Sequence, residues 1–166
     1  MRRALPLLFF AAGLAFASEV YFSPDGGIQA QLIRRINTSK STIDIAVYSF
    51  TSGDIAQALA NAHKRGVIIR VIRDLSQTAN KHDEDALLER NGIVVRILSG
   101  RPPHGVMHDK FAIFDGKVVE TGSFNWTVNG EKYSHENALF FDDLKLIQAF
   151  EQEFEKLWRS SSRIDK

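Results

Sequence analysis

The sequence predicts an α/β fold, a mixed β-sheet flanked by helices on both faces, and three observations carry that reading. From Glu19 to Leu98, short runs rich in β-branched and aromatic residues alternate with segments whose apolar residues recur at helical spacing. Beyond Leu98 the strands come in quick succession, two of them joined by Asp115-Gly116, a strong hairpin signal. The chain then closes on an amphipathic segment, Leu144 to Trp158. Alternation with short connections favours parallel strands and helical crossovers, and the hairpin adds antiparallel strands to the same sheet.

Glu19 to Phe22 reads as a short strand, ended by the loop Ser23-Pro24-Asp25-Gly26-Gly27. Ile28, Leu32, Ile33 and Ile36 form one face of a helix whose other face is Gln, Arg and Lys. Thr42 to Phe50 is apolar and only nine residues long, which argues a buried strand with Asp44 as its odd member. Asp54 can cap a helix from Ile55 to Arg65, and Gly66 can stop it. Val67 to Asp74 returns as a strand, Glu84 to Arg90 as a helix stopped at Asn91-Gly92, and Ile93 to Leu98 as a strand. Ser99 to Gly105, with two glycines and Pro102-Pro103, is a loop. Met107 to Phe114, Lys117 to Glu120 and Asn137 to Phe141 are the later strands, and the last helix should bury Leu146, Ile147, Phe150, Phe154, Leu157 and Trp158.

At 166 residues, the chain suits one domain, expected over residues 18–166. Before it, Arg2 and Arg3 precede an apolar run from Ala4 to Ala17, shorter than the roughly 20 residues of a spanning helix. It ends in Ala15-Phe16-Ala17, the small-x-small pattern of a cleavage site, so residues 1–17 read as a secretory signal peptide. The mature protein is then expected to be exported, periplasmic or secreted, with no stable membrane insertion. Losing two arginines takes the basic count from 21 to 19 against 20 acidic residues, so the overall charge predicts no polyanion partner. Any attraction to nucleic acid must come from local clusters at Arg34-Arg35, Lys64-Arg65, Arg70–Arg73 and Arg96–Arg101. The absence of cysteine excludes disulfides, thiolate zinc sites and a cysteine nucleophile.

The chemistry concentrates between His108 and Asn125. In a strand, side chains two apart share a face, so His108 and Lys110 project together, and Ser123 and Asn125 have the same spacing. If the hairpin pairs these strands, a histidine, an ammonium, a hydroxyl and an amide converge, with Gly122 permitting close backbone approach. Such a set suits a phosphate. His-x-Lys alone is mostly a solvated strand face, and Gly-Ser-x-Asn alone mostly a turn. Their joint occurrence on otherwise apolar strands is what singles them out.

His108-x-Lys110-x4-Asp115-x6-Gly122-Ser123-x-Asn125 resembles the full HKD signature of the phospholipase D superfamily, without departure. Tyr48-Ser49-Phe50-Thr51, the helix after it, and Ser134-x-Glu136-Asn137 extend the resemblance across nearly all of residues 19–158. In length and layout the chain is similar to small exported bacterial endonucleases of the family with one motif per chain, and to mitochondrial-type cardiolipin hydrolases. The resemblance implies that His108 attacks phosphorus to form a phosphohistidine, that Lys110, Ser123 and Asn125 hold the non-bridging oxygens, and that Glu136 orients the histidine. It implies no metal and no cofactor. A second histidine is needed to protonate the leaving oxygen, yet His63, His82, His104 and His135 all lack the motif's sequel. The implied solution is a homodimer sharing one site. Asp115 is a catalytic candidate that its turn position also explains, and Arg101 is the basic residue best placed to touch a nucleic-acid backbone. The favoured substrate is DNA, with RNA open. The alternatives are a phospholipid such as cardiolipin and, against the intact motif, a silent nucleic-acid-binding module.

Overall fold

The computed structural model of the chain describes residues 18–78 and 84–163; the expected leader at residues 1–17 and His82 lie outside them. Eight strands form one sheet: β1 Glu19–Ser23, β2 Thr42–Val47, β3 Ile68–Asp74, β4 Val94–Leu98, β5 Lys110–Phe114, β6 Val118–Gly122, β7 Glu136–Phe141 and β8 Ser162–Arg163. Their order is β1-β7-β6-β5-β2-β3-β4-β8. The helices are α1 Ile28–Thr38, α2 Gly53–Lys64, α3 Asp85–Arg90, α4 Val128–Lys132 and α5 Leu144–Ser160.

The sheet is mixed, as the sequence predicts. β2, β3 and β4 pair in parallel, and β5, β6 and β7 form an antiparallel meander against β2. β1 is not beside β2, as simple alternation suggests, but at the far edge against β7, where Tyr21 meets the Phe140 ring edge-on at 5.8 Å. The three strands after Leu98 have been inserted between the first two.

Strands buried on both faces read as continuous apolar runs. In β2, Ile43, Ile45 and Val47 join the core beneath α1, α2 and α3, while Ala46 joins the second core beneath α5. Asp44 also faces α5, and its reason is now visible. It pairs in register with Arg70, whose guanidinium is 2.7 Å from Asp44 and 2.8 Å from Glu155 of α5. The same guanidinium lies over the rings of Phe154 and Trp158, and Arg96 lies 4.3 Å over Trp158 from its other neighbour strand. Cation–π contacts and the ion pairs thus fasten α5 to the sheet.

Four local expectations change. Ser52, not Asp54, caps α2, its hydroxyl accepting from Ile55 N, and Asp54 sits in the first turn where an acid suits the helix dipole. Leu146 is exposed because the helix turns it away from the sheet beside Leu144, while Ile147 and Phe154 are buried. β5 starts at Lys110 rather than Met107, since Met107 N leaves the ladder to donate to Asp74 Oδ2 at 2.6 Å. Helix α4 and strand β8 were not anticipated.

Candidate active site

The candidate residues gather at one end of the sheet, where β2 and β6 finish and β5 and β7 begin. β5 and β6 pair Phe111 with Thr121, so Lys110 stands opposite Gly122. Gly122 is required there by backbone packing: a Cβ would fall 2.1 Å from Asn137 O of β7. The close backbone approach expected at this glycine is that of strand β7.

His108 and Lys110 share a face, as their spacing predicts. Lys110 Nζ lies 3.3 Å from His108 Nδ1 and 3.4 Å from its Nε2, and donates to His108 O at 2.9 Å. The histidine is exposed, whereas Lys110 is 8% exposed. Burial pushes the lysine's pKa below its ordinary value, opposed by the negative charges of Glu136 and Asp109. Tyr48, just past β2, backs the histidine with ring centroids 4.7 Å apart, and its own hydroxyl accepts from Gln77 at 2.9 Å. Neither Tyr48 as a support for His108 nor Gln77 was named from the sequence. The position of Tyr48 directly after a buried strand was the available signal.

Asn125 is locked by its Oδ1, which accepts from Ser49 N at 3.1 Å, leaving its NH2 as a donor. Trp126 N donates to Ser49 O, so the segments after β2 and β6 hold each other. Ser123 donates to Glu136 and accepts from Asn137 N at 3.1 Å. Glu136 therefore orients Ser123 and charges the surroundings of Lys110; within the chain it makes no hydrogen bond to His108, the contact implied by the family resemblance.

Two candidates lie elsewhere or apart. Asp115 follows β5 at the opposite end from Lys110, roughly 15 Å away along the strand. With Gly116 it forms the positive-φ hairpin turn, at φ 55° and 62°. Its carboxylate accepts from Lys40 N, Ser41 N, Thr42 N and the Ser41 hydroxyl. Burial would raise its pKa, but the Ser41, Lys40 and Thr42 N–H groups and the Ser41 hydroxyl outweigh it and hold the carboxyl below its ordinary value. The structure thus gives Asp115 the folding role that its turn position suggests. Arg101 is exposed on the loop closed by Gly100 N to Gly105 O, whose base borders a cleft with His108. The other basic clusters are largely spent within the fold: Arg35 pairs with Glu19, Arg65 donates to the end of α1, and Arg73 is buried against Asp85.

A cavity of about 430 Å³ opens beside His108 and Lys110, floored by Phe111 and Phe150 and rimmed by Asp109 and Glu153. Burial, then Glu153, raises the pKa of Asp109. Among the described residues, no group of three or more His, Asp or Glu is arranged to hold a metal. An exposed imidazole beside a buried ammonium and a fixed amide can attack a phosphorus atom whose oxygens those groups hold.

Comparison with known proteins identifies the family and the fold. The family profile described as cardiolipin synthase, PLD-like domain, matches residues 32–158. Mitochondrial cardiolipin hydrolase of Xenopus tropicalis is 34% identical over 96% of this chain and 80% of its own length; the mouse protein is 36% identical, with this chain spanning 57% of it. Among solved structures, Nuc from Salmonella typhimurium, a phospholipase D family member, superposes with a TM-score of 0.82 at 31% identity, covering 90% of this chain and 99% of that one. NucT from Helicobacter pylori gives 0.84 at 29%, covering 89% and 99%. With a matched profile over most of its length and His108, Lys110, Ser123 and Asn125 at one end of its sheet, the chain belongs to the phospholipase D superfamily of phosphodiesterases.

Proposed function

We propose that the chain is a non-specific endonuclease that hydrolyses DNA, and RNA as a second substrate, through a phosphohistidine. The observation that carries the chemistry is the Lys110 ammonium held within 3.4 Å of both His108 ring nitrogens. His108 attacks phosphorus; an N–P bond forms and the P–O bond to the leaving group breaks. A second histidine gives that oxygen a proton, then takes one from the water that cleaves the N–P bond. Lys110 and the Asn125 amide stabilise the negative oxygens, so no metal is needed. The described residues contain no second HKD histidine, and we assign it to an identical chain.

Nucleic acid is favoured because the chain nearly matches the full length of Nuc and NucT, with 99% of each covered, while it spans 80% of the Xenopus tropicalis cardiolipin hydrolase and just over half of the mouse one. The second reading, a cardiolipin-type lipid hydrolase, is favoured by the family profile and the curated relatives. No described helix is long and apolar enough to cross a membrane. The leader-like run supports export to the periplasm or beyond, which a mass measurement of the mature N-terminus would test.

The deciding experiment is plasmid nicking in excess EDTA. Wild-type protein should nick, and His108→Asn should lose about a thousandfold or more in rate. Strict dependence on added divalent metal, or full turnover by the variant, contradicts the mechanism. Release of phosphatidic acid from cardiolipin liposomes without DNA cleavage establishes the lipid reading instead.

A further inference from the structure

Asn125 and Glu136 of the candidate site also line a polar cleft of about 320 Å³, together with Ser49, Thr51, Thr127, Asn129, Gly130 and Ser134. Its walls are fixed to each other. Thr51 N and Ser52 N donate to Trp126 O at 2.9 and 3.0 Å, Thr127 Oγ1 accepts from Gly130 N at 2.9 Å, and Asn129 Nδ2 donates to Ser134 Oγ at 3.1 Å. These bonds set the shape of the wall and leave capacity over. The Ser49 and Thr51 hydroxyls and Asn129 Oδ1 make no hydrogen bond among the described residues, and Asn125 keeps its NH2.

The lining holds no cation and no aromatic ring, so it suits neither a second phosphate nor a stacked base. Hydroxyls, amides and the Glu136 carboxylate, itself bonded to Ser123, suit a neutral, hydroxylated group. The cavity beside His108 and Lys110 differs in being floored by Phe111 and Phe150, with Asp109 and Glu153 at its rim.

We propose that the cleft is a subsite for the pentose flanking the scissile phosphate, with Thr51 and Asn129 as its specificity-determining residues. This rests on the phosphodiesterase reading of the adjacent site. Phosphorus held by Lys110 and Asn125 places the attached sugar carbon at the mouth of the cleft, and Thr51 and Asn129 meet the ring oxygen and hydroxyl.

The test compares two chromogenic diesters, thymidine 5′-(4-nitrophenyl) phosphate, which carries a pentose, and bis(4-nitrophenyl) phosphate, which does not. The reading is the ratio of their kcat/KM values. Wild type should favour the thymidine ester, and Thr51→Val and Asn129→Leu should each lower that ratio about tenfold, chiefly through the KM of the thymidine ester. Thr51→Ser, which keeps the hydroxyl, should restore it. Turnover of both esters with no preference in wild type, or with the preference intact in both variants, overturns the subsite and leaves the phosphodiesterase reading standing. Turnover of neither removes both. Loss of the ratio with Thr51→Ser as well assigns the effect to packing and overturns the hydroxyl's role. A preference transferred equally to a glycerol-bearing 4-nitrophenyl diester also overturns it, in favour of a lipid glycerol.

Discussion

Glu120 carries a carboxyl in the apolar core with no solvent exposure and no hydrogen-bond partner for either oxygen. Burial raises its pKa to about 8, and the nearby Trp126 indole offsets only part of that. No charged neighbour contributes. In the sequence Glu120 is only the last residue of the strand expected over Lys117 to Glu120, because its partners in the sheet, Ala112 and Phe140, are known only once register is known. The folded state keeps the proton where the unfolded chain, with the ordinary value of 4.5, releases it. Stability is therefore greatest below pH 4.5 as far as this group is concerned, and falls by roughly 1.4 kcal/mol per pH unit until about pH 8. Glu120→Leu should remove that slope, so that denaturant midpoints measured from pH 5 to 8 rise most at the alkaline end. An unchanged slope in the variant would show that the carboxyl is not the buried acid described.

Asp115 makes the case for the hairpin as an element. The Asp-Gly pair was legible as a turn from sequence, but the three backbone N–H groups of residues 40–42 that meet its carboxylate belong to the loop between α1 and β2, which no local pattern connects to it. Asp115→Val places a β-branched residue at φ 55° and strands those donors, and should lower stability by about 2 kcal/mol or more. Asp115→Asn tolerates the turn and keeps one acceptor, and should cost about half as much. A calorimetric scan separates them, and a variant that keeps its melting temperature yet loses nuclease turnover would return Asp115 to the chemistry. The same division runs through the other elements. Strands β2 and β5 and helices α1, α2 and α5 were readable because their apolar periodicity is long and regular, and His108 and Lys110 because a strand fixes which side chains share a face. Helix α4 is a single turn on the Thr127 cap, too short for periodicity, and β8 pairs only Arg163 and Ser162 with β4. The Ser123–Glu136 bond depended on β7 lying beside β6, a long-range fact.

At the scale of the molecule, α5 covers only part of its face of the sheet. It lies over β2 to β6, reaches β7 at its end, where Phe150 meets the Phe141 ring at 5.8 Å, and leaves open β1 and the first part of β7, where Val20 pairs with Leu139 and Phe22 with Asn137. Val20, Phe22 and Leu139 are 54%, 59% and 38% exposed, on the strands' α5 side. Phe22 is one residue from Ser23, which pairs with Glu136, so this apolar strip begins at the edge of the candidate site. An exposed strip of this kind marks an interaction surface, and the chemistry asks for a second HKD histidine near by. The homodimer proposed above would meet both requirements if a second copy docked on β1 and β7 so that two sites merged about a two-fold axis. Phe22→Asp puts a charge into that contact while disturbing little of the monomer, since the side chain is mostly exposed. The variant should elute as one chain where wild type elutes as two, keep its thermal midpoint within a few degrees, and lose at least about a hundredfold in plasmid nicking as the second histidine departs. A wild-type protein that is monomeric and fully active under assay conditions would dismiss the shared site. So would a monomeric Phe22→Asp with undiminished turnover, since one histidine would then suffice.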